Sequence, residues 1–131
     1  MMQGISNDQP GDDQLTRSII GCAFAVANSL GIGFFEKVYE NGLANKLRKS
    51  GFTVDQQRAV DVVFEGDIIG TYVADLIVSN TVVVELKAVG ALSSVHAAQC
   101  LNFLKASGLQ TCLLINFGVP RLQVRRLTRP G

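Results

Sequence analysis

At Gly51 the spacing of apolar residues changes, and the change divides the chain into a helical part and a mostly stranded part. Before it, Leu15, Ile19, Cys22, Ala23 and Val26 recur at intervals of three and four, as do Phe35, Val38, Tyr39, Leu43 and Leu47; that is the stripe of an amphipathic helix. After it, Phe52 to Phe64, Ile68 to Val78 and Val82 to Lys87 run or alternate apolar, separated by Glu65-Gly66-Asp67 and Ser79-Asn80-Thr81. Period-two runs divided by turn-forming residues read as strands joined by hairpins. A further helix is expected from about Val95 to Ser107, capped by a serine of the Gly90–Ser94 loop and ended by Gly108. Thr111 to Phe117 is almost wholly apolar, as a buried central strand should be. A last, more exposed strand follows, in which Leu122 and Val124 alternate with Gln123 and Arg125.

The first helix should run from Asp12 or Asp13, either of which can cap it, to about Leu30. The second should run from about Phe34 to Ser50, with Gly51 after its end and Lys46, Arg48 and Lys49 suiting its dipole. The order is α-α-β-β-β-α-β-β. Its third strand, third helix and fourth strand make a βαβ unit with a right-handed crossover. The fold class is therefore α/β, a central mixed sheet flanked by helices. With 131 residues, 47% of them hydrophobic, the chain suits one domain over residues 12–131 after a flexible lead-in at 1–11.

Several classes are disfavoured. Ser18 to Phe35 is uncharged, but Asn28, Ser29 and three glycines interrupt it; a buried helix is expected rather than a membrane span of ~20 apolar residues. The N-terminus lacks a basic segment followed by an apolar one, so no secretory signal is read. Cys22, Cys100 and Cys112 have no metal-ligand spacing and are odd in number, which points to reduced thiols in a cytoplasmic protein. A net charge of +1 gives no global field for a polyanion. Lys46, Arg48 and Lys49, and Arg121, Arg125, Arg126 and Arg129, are local clusters that either contact phosphates or merely solvate a helix end and a tail.

The chemistry is concentrated in Tyr72–Val89, YVADLIVSNTVVVELKAV. Carboxylates are costly in buried strands unless paired, hydrogen-bonded or bound to metal, yet Asp75 interrupts one strand and Glu85 and Lys87 the next. Glu85 and Lys87 are two apart and share a face. If the turn between the strands holds two residues, Asp75 opposes Val84 and Glu85 lies on the other face. If it holds three (79–81), Val78 opposes Val82 and Asp75 opposes Glu85. The second register puts Val73, Asp75, Ile77, Val83, Glu85 and Lys87 on one face. It leaves Ala74, Leu76, Val78, Val82, Val84 and Leu86 as a purely apolar face, and this segregation favours it. Facing carboxylates ~5 Å apart repel, and Mg²⁺ or Mn²⁺ would relieve the repulsion, with the carbonyl of Leu86 as a further oxygen ligand. An ion pair at a strand end is the plainer account of the same residues.

The D-x9-E-x-K spacing of Asp75, Glu85 and Lys87 resembles the PD-(D/E)XK nuclease superfamily, whose core has the order αβββαβ. GFFEKVY (33–39) is similar to the G-x-x-E-x-x-Y signature of the small GxxExxY family, assigned to that superfamily. The likeness extends from about Leu15 to Leu127, with Ala74 standing where the superfamily's label has Pro. It implies a restriction-endonuclease-like fold, with Asp75 and Glu85 as metal ligands and Lys87 as the catalytic lysine. It further implies Glu36 as an additional acidic residue near the metal and Gln99 as a helix-borne neighbour of the site. The function implied is metal-dependent hydrolysis of nucleic acid, DNA before RNA. The alternative is a non-catalytic binding or assembly module of the same fold. A homodimer or a partner protein could supply phosphate contacts that the modest charge does not.

Three other residues have plainer readings. Glu36 and Glu40, four apart, fit a solvated acidic face as well as a metal site. Tyr39 lies on the apolar stripe and reads as a core aromatic with a hydrogen-bonding hydroxyl. His96, three before Gln99, reads as a surface or structural histidine.

Overall fold

The structure, a computed structural model, describes residues 10–129. Pro10 and Gly11, expected in the lead-in, instead form the first turn of α1 (Pro10–Leu30), where proline's missing N–H costs nothing; the rest of the lead-in lies outside the described residues. Then come α2 (Glu36–Lys49), β1 (Val54–Phe64), β2 (Asp67–Val78), β3 (Val82–Lys87), α3 (Ser94–Ser107), β4 (Thr111–Asn116) and β5 (Gln123–Thr128). The five strands form one sheet in the order β1-β2-β3-β4-β5. Only β3 and β4 are parallel, as the βαβ unit requires; the other neighbours are antiparallel. Among the described residues no helix is long and apolar enough to cross a membrane.

Helices cover both sides of the sheet. On one side Ile19, Ala23 and Val26 of α1 and Tyr39, Leu43 and Leu47 of α2 pack against Leu76, Val78, Val82, Val84, Leu86, Leu113 and Ile115. On the other, Cys100, Phe103 and Leu104 of α3 pack against Ala74, Ile77, Val83, Cys112 and Leu114. The pleat alternates as expected from Ile77 to Leu86, but Ala74 is a correction: it joins the α3 side rather than the side of Leu76. Val54 and Val60 of β1, of equal parity, likewise divide between the two sides. The inversion falls where the β1–β2 ladder skips one pair of residues, Gln57 and Asp75, between Gln56–Leu76 and Arg58–Ala74. Gln57 has φ 55°, a left-handed conformation that costs about 1–2 kcal/mol for a residue with a Cβ and reverses the pleat. The other non-glycine residues with positive φ among those described, Glu65, Ser79 and Asn80, sit in hairpin turns; Gln57 is inside a strand.

The sequence motif at 33–39 has a mechanical basis. Gly33 takes φ 111°, which favours glycine, and brings the chain from α1 into α2. Tyr39 then ties the turn down: its hydroxyl donates to the carbonyl of Gly31 (2.6 Å) and accepts from the N–H of Phe34 (3.3 Å). Its buried ring stacks on Phe117, with centroids 4.8 Å apart. Tyr39 is thus a structural staple. His96 is another, since its Nδ1 accepts from the N–H of Ser93 (3.1 Å) and closes a capping box at the start of α3.

The end of β3 is held by its parallel neighbour. The N–H of Phe117 donates to the carbonyl of Lys87 (2.8 Å). The buried Asn116 amide accepts from Val89 N–H and donates to Val89 O, each at 3.0 Å. Gly118 lies so close to the backbone of Ala88 and Val89 that an added Cβ would collide with it. Gly118→Ala is therefore expected to destabilise the protein by about 1–3 kcal/mol, read as a lower midpoint in urea denaturation; an unchanged midpoint would mean that this approach is not tight.

Candidate active site

Pairing between β2 and β3 stops just before the charged residues. The ladder runs through Val78–Val82, Ile77–Val83 and Leu76–Val84, the register of the three-residue turn, and the next positions are Asp75 and Glu85. There side chains replace backbone acceptors. The N–H of Asp75 donates to Oε2 of Glu85 (3.0 Å), and the N–H of Leu86 donates to Oδ2 of Asp75 (2.8 Å). Each carboxylate thus satisfies a backbone donor on the opposite strand, and the strands fork around the pair. Leu86 buries its side chain in the α1/α2 core. In an extended strand a residue's N–H and C=O point to the same side, so its carbonyl faces the fork, while that of Lys87 faces β4.

The fork opens into a cleft of about 260 Å³. Glu36 enters it from the first turn of α2, Asp75 from β2, Glu85 and Lys87 from β3, and Gln99 from α3; Tyr72, Val73 and Phe103 complete the lining. All five side chains singled out from the sequence meet in this one cavity. The basic clusters do not. Lys46 and Lys49 lie at the far end of α2, about 15 and 20 Å along the helix from Glu36. Arg48 braces β1 by donating to the carbonyl of Val54 (2.9 Å). Arg125, Arg126 and Arg129 follow the outer edge of the sheet, with β4 between them and β3.

Glu40 corrects the expectation of a solvated acidic face. It is only 3% exposed and accepts from Lys37 Nζ (3.0 and 3.1 Å), from Gln56 Nε2 (2.9 Å) and from Gln57 Nε2 (2.9 Å). Gln57 Nε2 also donates to Oδ1 of Asp75 (3.3 Å). Glu40 was marked in the sequence only by the helical face it shares with Glu36. Gln57 was not expected at the site, and its only trace is the break in alternation at Gln56-Gln57, which does not specify a partner. All three cysteines are free and buried, as read from the sequence; Cys112 is in addition hydrogen-bonded to Cys100, and that contact together with burial pushes its thiol upward.

The acidic groups of the cleft all hold their protons more tightly than usual. Glu85 is pushed up to about 8, first by burial and then by the charge of Asp75. Asp75 is raised mainly by burial, against the lowering effect of the Leu86 N–H. Glu36 is raised by partial burial and by Asp75. Lys87 acts on all three in the opposite direction without overcoming it. Among the described residues no three His, Cys, Asp or Glu side chains form a ready-made metal cage. Mg²⁺, however, takes one or two protein carboxylates and keeps water in its remaining positions. Two facing carboxylates, a third acid nearby and a carbonyl turned towards the fork are a donor set of that kind.

Known proteins give the same picture of the fold. The profile of the PD-(D/E)XK nuclease superfamily matches residues 13–127. Among solved structures, SSO0001 superimposes with a TM-score of 0.58 at 18% identity, covering 73% of this chain and 51% of that one. The alkaline exonuclease LHK-Exo from Laribacter hongkongensis gives 0.50 at 17% identity, covering 66% and 52%. The chain spans about half the length of each. No curated protein matches it significantly. The fold is that of the restriction endonucleases: a mixed five-stranded sheet between helices.

The raised Glu85 has a consequence for stability. Its folded value, about 8, lies above the 4.5 of an unperturbed glutamate, so between these values the folded chain binds the extra proton. The contribution of Glu85 to stability is then fully present below about pH 4.5 and is lost as pH rises towards 8. Urea denaturation in chelator should show a lower midpoint at pH 8 than at pH 5, and Glu85→Gln should reduce that difference. A wild-type midpoint that rises with pH would contradict the assignment.

Proposed function

Since this chain belongs to the PD-(D/E)XK nuclease superfamily, we propose that the fork between β2 and β3 is its active site and hydrolyses phosphodiester bonds of nucleic acid, DNA before RNA. The observation that carries the proposal is the meeting of Asp75, Glu85, Lys87, Glu36 and Gln99 in one cleft. Asp75, Glu85 and the Leu86 carbonyl would hold Mg²⁺ or Mn²⁺, with Glu36 assisting. When bound, the ion supplies Lewis-acid polarisation of the phosphodiester and lowers the pKa of a coordinated water.

The chain's own residues do the rest. The desolvated pair Asp75 and Glu85 provides concentrated negative charge for a cation, in place of a proton on Glu85. Lys87 places its ammonium group on the same strand face as Glu85, where it offsets charge developing on the phosphoryl oxygens. Gln99, from the helix that roofs the cleft, can donate to a phosphate or orient the attacking water. The N–H bonds from Asp75 and Leu86 fix both carboxylates on the rigid part of the sheet, so little reorganisation accompanies the reaction.

The turn at Gly33, the position of Glu36 and the Tyr39 staple support a place in the GxxExxY family. Three free, buried thiols support work in a reducing compartment, the cytoplasm. The charge balance favours a second reading, a module that binds without cutting: among the described residues Lys87 is the only cationic side chain lining the cleft, and the net charge is +1. Under the first reading, a homodimer or partner protein supplies the missing phosphate contacts.

Incubation of the pure protein with single- and double-stranded DNA and RNA in Mg²⁺ or Mn²⁺ tests the proposal. Chelator should stop cleavage, and Asp75→Asn, Glu85→Gln and Lys87→Ala should each lower kcat by about 100-fold or more. Cleavage that survives Glu85→Ala and Lys87→Ala together would remove the fork from consideration. Cation binding without turnover on any of these substrates would favour the binding module.

A further inference from the structure

We propose that Gln57 is a positioning residue for Asp75, held in place by the buried Glu40. This rests on the reading of the fork as a cation site and adds a part to it. Gln57 faces Asp75 across the β1–β2 ladder at the one pair skipped between Gln56–Leu76 and Arg58–Ala74. Its Nε2 donates both to Oε1 of Glu40 (2.9 Å) and to Oδ1 of Asp75 (3.3 Å). The orientation of the amide follows from chemistry, because only the NH₂ end can face two carboxylates. Glu40 is itself fixed by Lys37 and Gln56. The Asp75 carboxylate is therefore gripped at both oxygens, Oδ1 by Gln57 and Oδ2 by the N–H of Leu86.

The backbone points the same way. A glutamine at φ 55° in mid-strand is unfavourable, and glycine or asparagine takes that conformation more readily. Bending the strand needs only the backbone shape, which glycine would supply better. The bridge from Glu40 to Asp75 needs the glutamine side chain. A residue that suits the side-chain task and not the backbone one marks a functional site where strain is retained.

Gln57→Gly separates the two roles. In chelator, its melting temperature should stay close to that of the wild type, because relief of the left-handed backbone offsets the lost hydrogen bonds and glycine's added chain entropy. Its affinity for Mn²⁺, measured calorimetrically without substrate, should fall tenfold or more, and in cleavage kcat should fall while KM for DNA stays within about twofold. Glu40→Gln should weaken Mn²⁺ binding in the same direction, and the double variant should lose less than the two single losses combined, as members of one network do. Mn²⁺ affinity of Gln57→Gly within twofold of wild type would overturn the inference and leave the fork as a cation site. A melting temperature that falls along with affinity would also overturn it, making Gln57 part of the scaffold. A wild type that binds no Mn²⁺ takes down the cation site and this inference with it.

Discussion

Everything at the candidate site depends on an exchange of acceptors between two strands. Where β2 and β3 should continue to pair, Asp75 and Glu85 each take a backbone N–H from the other strand. The exchange satisfies donors that would otherwise be buried and unpaired, and it ends the ladder. It also holds two acidic groups together where neither is well solvated, which is why Glu85 keeps its proton up to about 8. A sheet without these two residues would close here. The fork, the cleft and the charge imbalance are therefore one feature.

The supports of that fork come from every layer of the fold. Behind Lys87, the buried Asn116 and the missing side chain of Gly118 lock the outgoing chain against β4. On the side of α2, Tyr39 fixes the turn that delivers Glu36 to the cleft. On the side of β1, Glu40 and Gln57 reach Asp75 through hydrogen bonds, and the pleat reverses where they do so. The strain at Gln57 and the desolvation of Glu85 are borne by the two apolar clusters on the sheet's faces.

Much of this was legible in the sequence, for identifiable reasons. Apolar periodicity is a property of single elements, so the order of helices and strands followed from it. The register of β2 against β3 followed because one choice alone segregates charge from apolar surface, and that choice brings Asp75 opposite Glu85. Ala74 and Val60 were beyond reach, because strict alternation cannot anticipate a left-handed residue in mid-strand. Glu40 was read as solvated because helical spacing says which face it shares with Glu36, not that β1 lies across that face. Gln57 carries no charge and belongs to no motif; its importance comes from tertiary contacts with Glu40 on α2, 17 residues before it, and with Asp75 on β2, 18 residues after it.

The central claim is that the acidic fork is built to take a divalent cation. Anomalous diffraction from a crystal soaked in Mn²⁺ tests it most directly. The account predicts a peak within coordination distance of carboxylate oxygens from both Asp75 and Glu85. A well-ordered, fully accessible cleft with no anomalous density between those two side chains would contradict it.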